Sequence, residues 1–327
     1  MKAIETRHAH AGRQRGMTLI ELMVALAIGT FLIVGAVQVY NQSRQAFVIN
    51  ESIARVQETA QFAMDTIEAD LRMASNFGRN SRGAAVEGRS LTAQPNPNGL
   101  PVPAACGADW ALDLIRPVEG DNNAYGLPCA ANGGAMANSD TVTTRRATVA
   151  PTAPAAGRLQ VQSTRIQGEL FADGVVPSAF NPATSATHDL LVNTYYVAAD
   201  SALIPGVPTL RRKSLIGGGA PAVLDQEVAP GVENMQLQFG VDVDADNTVD
   251  RYVNPGDGII TPGDPNFIPT ARVITARIWL VVRSVNAEIG INDQRDYEPG
   301  DVDLGVPNDQ FRRLQVSKTI LLRNTRT

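Results

Sequence analysis

Glu21 is the side chain whose setting most demands a chemical reason. It is the one charge in the apolar run at residues 17–37, MTLIELMVALAIGTFLIVGAV. A carboxylate near a bilayer centre costs about 2.5–3.5 kcal/mol on insertion scales, so it calls for a partner or a purpose. One reading keeps it close to the helix start, where headgroups are in reach and the helix dipole favours negative charge. The other gives it an opposite charge from another chain, which turns a costly ion into a registry device.

Other constellations are weaker. Asp242, Asp244 and Asp246 alternate, followed by Asn247 and Asp250. Oxygen ligands at that spacing match the opening of a calcium loop. The pattern then departs, because Asn247 stands where the turn glycine belongs and Val253 where the bidentate Glu belongs. An acidic hairpin tip joining 241–243 to 249–253 is the reading these residues favour. The turn at 254–265 (NPGDGIITPGDP) carries two more aspartates, as extra ligands or simply as exposed residues. Cys106 and Cys129 are the only cysteines. Outside the cytoplasm that count favours one disulfide, and the spacing has no CxxC redox character.

Histidine offers little. His8 and His10 lie near the start, and His188 is expected as a solvated residue ahead of a strand. The pairs Arg145–Arg146, Arg211–Arg212 and Arg312–Arg313 fall on strands, where alternation sends the two members to opposite faces. A solvated sheet face is the expected setting, and a nucleic-acid groove the alternative. Residues 1–16 carry a net +3, leaving −8 on the remainder, which argues against a body built to grip nucleic acid. Zinc spacing, a phosphate-cradling glycine loop and a nucleophile elbow are absent from the sequence, so no catalytic residue is assigned and no cofactor is required; calcium is the one candidate.

The elements that must carry these residues begin with a helix. Residues 17–37 span about 30 Å as a helix, the thickness of the hydrocarbon layer. The basic stretch before them would stay cytoplasmic, placing the chain after Tyr40 on the other side. Here the small residue, Gly16, precedes the apolar run, the reverse of a secretory signal. The first proline is Pro95, and Ile49, Ile53, Val56, Ala60, Ala63, Ile67 and Leu71 recur at helical spacing. The pattern predicts one helix to about Ser75, stopped by Asn76-Phe77-Gly78, amphipathic in its second half. Gly29 and Gly35 are either places where helices approach closely or small residues simply tolerated in a span. Strands are expected at 111–115, 140–149, 159–163, 189–198, 209–215, 232–243, 273–284 and 313–323. The fold class is α+β: a long N-terminal helix, membrane-spanning then amphipathic, on a mostly antiparallel sheet domain. Four segments follow: a leader at 1–16, a membrane and assembly half at 17–40, an amphipathic half at 41–78, and a β-rich domain at 79–327.

The string RQRGMTLIELMVALAIG resembles the class III signal of type IV prepilins and type II secretion pseudopilins. That resemblance implies cleavage between Gly16 and Met17 by prepilin peptidase, methylation of the new amine, and pairing of Glu21 with a neighbouring subunit's N-terminal amine. The stretches GVENMQLQFGVDVDADNTVDRYV and ARIWLVVRS, the terminal LLRN, and the region around Cys106 and Trp110 resemble the PilW family of minor pilins. It implies a low-abundance, non-enzymatic subunit, held in the inner membrane with a periplasmic domain and then assembled into the pilus. Its implied partners are other minor pilins, the major pilin and a tip adhesin, with a place in the tip complex and a part in starting assembly. A minor pseudopilin of a type II secretion system and a non-polymerising single-pass periplasmic protein are the alternatives.

Overall fold

The computed structural model describes residues 16–326. The leader's charges at Lys2, Arg7, Arg13 and Arg15, with His8 and His10, lie outside the described residues. The chain divides into two units, 1–52 and 53–327. Helix α1 (Leu19–Met73) contributes to both.

In the first unit no residue between 16 and 52 is buried. Leu19, Leu22, Leu26, Phe31, Ile33 and Val37 are each more than half exposed. A helix that is apolar on every side is suited to lipid or to other helices rather than to water.

The second unit holds the end of α1 and two sheets. Its strands are β1 (Val86–Glu87), β2 (Val118–Asp121), β3 (Thr141–Ala147), β4 (Ala156–Ser163), β5 (Gly168–Asp173) and β6 (Ala186–Ala198). They continue as β7 (Thr209–Ile216), β8 (Ala222–Pro230), β9 (Val232–Asp242), β10 (Arg251–Val253), β11 (Arg272–Arg283) and β12 (Arg313–Leu321). The larger sheet runs β1-β5-β4-β6-β3-β2, with β7 on β6 and β8 on β7, and the smaller runs β10-β9-β11-β12. Every ladder is antiparallel except β1 with β5. This is the expected α+β class.

Period-two alternation explains the smaller sheet. Met235, Leu237, Phe239 and Val241 of β9 pack with Ala276, Ile278 and Leu280 of β11 against Val56, Ala60, Ala63, Met64, Ile67 and Leu71 of α1. The alanines keep the helix close to the strands, and each fully buried Ile or Leu contributes about 1.5–3 kcal/mol. The opposite face of β9 is not solvated: Gln236 and Asp242 are also fully buried. A second core gathers Phe77, Trp110, Leu112, Leu114, Val161, Leu170, Leu190 and Val192 beside the cysteines.

Two expectations about elements fail. Residues 111–115 are not a strand: Ala111 and Leu112 end the short helix α2 (Gly107–Leu112), since a brief apolar run reads alike for either element. The strands β1, β2, β5 and β8 were not expected; three are short and β8 is half-exposed along most of its length. The α1 stop falls within two residues of the expected end, with Ser75 in the left-handed region at φ 65.

Two carboxylates fix the inner face of α1. Asp70 takes Arg146 Nε and Nη2 on Oδ1 at 2.9 and 2.7 Å. Its Oδ2 takes Asn193 Nδ2 at 2.7 Å and the Tyr195 hydroxyl at 2.6 Å. Glu68 pairs with Lys318 of β12 and with Arg72. Removing one member of a buried pair leaves the other uncompensated, so Asp70→Ala is expected to cost about 3–5 kcal/mol in urea unfolding of the full chain in detergent. Asp65→Ala, whose side chain is about half exposed, is the control and is expected to stay within about 0.5 kcal/mol.

Candidate functional site

The first candidate site lies in the first unit, at the start of α1. Thr18 precedes Leu19, and its hydroxyl accepts the Glu21 N–H at 3.3 Å. In return Glu21 Oε2 accepts Thr18 N–H and Thr18 Oγ1–H, each at 3.0 Å. This T-x-x-E arrangement is a capping box, in which each residue satisfies a backbone donor of the other. The dipole argument anticipated an acid at this end of the helix; the box itself was legible as Thr three residues before Glu. Among the described residues Glu21 Oε1 has no donor, so it can accept a further one. Residues 16–18 are exposed and non-helical, so the Gly16–Met17 bond stands clear of the helix.

The remaining candidates lie in the second unit. Cys106 and Cys129 form a disulfide with Cα atoms 4.6 Å apart. Trp110, four residues on, donates its indole N–H to Thr194 Oγ1 at 2.8 Å. On the other side of the bridge, Tyr125 donates its hydroxyl to the Cys129 carbonyl at 2.7 Å and meets the Tyr196 ring edge-on.

The paired arginines are placed differently from expectation. One member of each pair is buried: Arg145, Arg211 and Arg313. Alternation holds, but the faces they point to are covered and supplied with acceptors. Arg145 donates to the Trp110, Arg116 and Asp109 carbonyls at 2.9, 2.7 and 3.1 Å and pairs with Glu119. Arg211 meets Asp225 and Glu227. Arg313 is clamped by Glu233 and Asp309. Guanidiniums so engaged are structural and offer no phosphate-binding face. His188 is likewise buried within β6, with Nδ1 2.8 Å from the Thr148 carbonyl, because strand pairing reaches further than the apolar run suggests.

At the β9–β10 hairpin, Asp242, Asp244 and Asp250 bring carboxylate oxygens within 4.8 Å of one another. Asp246 is not among them; it accepts Thr248 N–H and Oγ1–H at 2.7 and 2.6 Å. Asp242 accepts the N–H groups of Ala245 and Asn247, and Asp250 that of Val243. These acids therefore already serve the turn as hydrogen-bond acceptors. The further aspartates at 257 and 264 cap their own turns, accepting from Ile259 and Asn266.

Around β7 and β8, burial alone would raise the Asp225 carboxyl. Hydrogen bonds from Lys213, Tyr196 and Arg211 outweigh it and hold the group below its ordinary 3.8. A depressed folded value means the stabilisation is complete above that ordinary value and is lost as pH falls through the folded one. Asp225→Asn is therefore expected to lower stability at neutral pH and to flatten its further loss below about pH 4, read from urea midpoints across pH. Replacing both cysteines by serine is expected to cost about 3 kcal/mol in the same assay.

Two comparisons bear on this arrangement. Residues 194–324, from the second half of β6 to the end of the smaller sheet, match the family described as Type IV Pilus-assembly protein W. Residues 12–37 match the prokaryotic N-terminal methylation motif. No curated protein and no solved structure matches the chain. The methylation motif covers the capped start and apolar run of α1, and the W match covers the sheet that packs on the helix's buried face. The two matches support a PilW-type prepilin of the type IV pilus, anchored in the inner membrane through the N-terminal apolar helix and assembled into the pilus.

Proposed function

We propose that the protein is a structural minor pilin of the tip complex that helps to initiate the pilus. Prepilin peptidase cuts between Gly16 and Met17, removing residues 1–16, and the new Met17 amine is methylated. Residues 17–40 then hold the subunit in the membrane and later in the filament. Residues 41–78 carry the amphipathic half of the helix, which ends at Met73, and 79–327 the periplasmic domain. The role is one of binding and scaffolding, without catalysis. Other minor pilins and the major pilin contact it through α1, Gly29 and Gly35 marking places of close approach, with a tip adhesin as a further partner.

The observation that carries this reading is the capped Glu21. A carboxylate satisfied by Thr18 at a helix start tolerates an apolar setting, and its free oxygen can take the ammonium of a second chain. Exposed apolar side chains all around the following turns supply the surface for such packing. Calcium at the β9–β10 hairpin is a separate proposal resting on Asp242, Asp244 and Asp250. Equal calcium heats for wild type and Asp244→Asn would refute it.

Mass spectrometry of the native chain is expected to find Met17 as the first residue, Nα-methylated; a chain still beginning at Met1 refutes the reading. Glu21→Ala is expected to leave processing intact. Its content in sheared pili should fall more than about tenfold, because the neighbour's amine loses its counter-charge. Undiminished content refutes the pairing. Loss of protein secretion with pili unaffected would instead assign the subunit to a type II secretion system.

A further inference from the structure

A cavity of about 320 Å³ is lined by both sheets of the second unit. Its walls come from the segment after α1, from β2, from the β10–β11 connection and from the C-terminal turn at Asn324 and Thr325. Leu114, Val118, Ile260, Ala271 and Val273 give it an apolar lining, and Ile115 beside them is half exposed. The segment after α1 is pressed against Leu114 because residue 83 is glycine; a Cβ there would stand 1.8 Å from the Leu114 carbonyl oxygen. Ligand pockets start at roughly 300 Å³ and combine an apolar lining with a few placed polar groups.

Two kinds of polar group face this lining. The first is a strand edge, since among the described residues β2 pairs only with β3. The Pro117 carbonyl accepts the Arg145 N–H, so alternation turns the main-chain groups of Val118 and Gly120 away from β3. Both residues line the cavity. The second is positive charge, because three arginines and one glutamate line it: Arg82, Arg116, Arg272 and Glu119. Arg116 pairs with Asp113 and Glu119, and Glu119 also pairs with Arg145. Among the described residues Arg82 and Arg272 form no ion pair. Asp242, opposite Arg272 on β9, gives its two oxygens to the Ala245 and Asn247 N–H groups instead. Two uncompensated guanidiniums thus flank an apolar hollow in a chain of net charge −5.

We propose that this cavity receives an extended peptide segment of a partner protein, in which apolar and acidic side chains alternate. Such a segment, laid along β2, exchanges main-chain hydrogen bonds with Val118 and Gly120, and the pockets beside the edge select its side chains. The pleat sends alternate side chains to opposite sides, apolar ones onto Leu114, Ile260 and Val273, acidic ones toward Arg82 and Arg272. A guanidinium fork matches a carboxylate through charge-assisted hydrogen bonds. The termini of a second copy have the wrong sign: residues 1–16 carry a net +3, and the C-terminal turn carries Arg323 and Arg326. Nucleic acid is disfavoured as well, because a phosphate backbone needs a track of cations rather than two on either side of an apolar hollow. The contact lies on the second unit and is independent of the pairing through Glu21.

The test uses the full chain in detergent and two fluorescein-labelled hexapeptides, followed by fluorescence anisotropy. One peptide alternates leucine with aspartate, the other leucine with lysine. Expected is saturable binding of the aspartate peptide, at least about tenfold tighter than that of the lysine peptide. Arg82→Glu and Arg272→Glu should each weaken it at least about fivefold. Arg165→Glu makes the same charge change at the exposed β4–β5 turn and should leave binding unchanged. Val118→Pro deletes an N–H that points away from the β3 ladder, and should weaken binding if the segment joins the strand edge. If Val118→Pro does not fold, the arginine variants decide alone. Binding that fails to saturate below about 1 mM, equal affinity for the two peptides, or an equal loss in Arg165→Glu and Arg82→Glu overturns the proposal.

Discussion

The carboxylate of Asp70 sits where the last turn of α1 meets β3 and β6, and donors from Arg146, Asn193 and Tyr195 converge on its two oxygens. Apolar packing beneath it is permissive, since an Ile–Leu–Ala stripe can slide along a sheet at modest cost. A fully engaged carboxylate cannot, because any shift of a turn breaks several charge-assisted hydrogen bonds at once. The rest of the second unit inherits its register from this point. β3 and β6 are fixed to the helix, β6 in turn pairs β4 and β7, and Glu68 repeats the device toward β12.

Polar groups hold the periphery in the same manner. Arg145, wholly buried, donates to three carbonyls and one carboxylate, and so attaches both α2 and β2 to β3. The loop after Cys129 is laid across the larger sheet by Lys213, which donates to the Ala130 carbonyl, and by Tyr196, which accepts from Asn132. Long loops rich in Gly and Pro bury little apolar surface. Here they are ordered by cations whose own desolvation is offset by several acceptors.

This division explains what the amino-acid pattern revealed. Periodicity disclosed α1 and the long strands, because those are decided by which side chains are apolar, and β9, β11 and β12 end within two residues of the expected bounds. The N-terminal segment was legible for a different reason: charge, Gly16, Met17 and Glu21 form a contiguous string. What stayed hidden depends on partners distant in sequence. A strand arginine reads as solvated until Glu233 or Asp225 is brought to it, as Arg313 and Arg211 show. The aspartates at 242–250 matched a metal-loop spacing, yet Asp246 turns to Thr248, since a spacing rule contains no account of competing local hydrogen bonds. Asp301, on which Asn122, Asn123 and Asn254 converge, joins three separate loops and carries no local signature at all.

Among the described residues the outermost strand of the larger sheet, β8, pairs only with β7 and so presents one open row of backbone groups. Its acids Asp225 and Glu227 turn inward onto Arg211 rather than outward to water. A foreign strand seeking to extend the sheet would have to match that inward charge or disrupt it. In the crowded envelope, where many partly assembled subunits meet, this discourages side-by-side fusion of globular domains. An accidental sheet-to-sheet aggregate is thereby disfavoured from the outset.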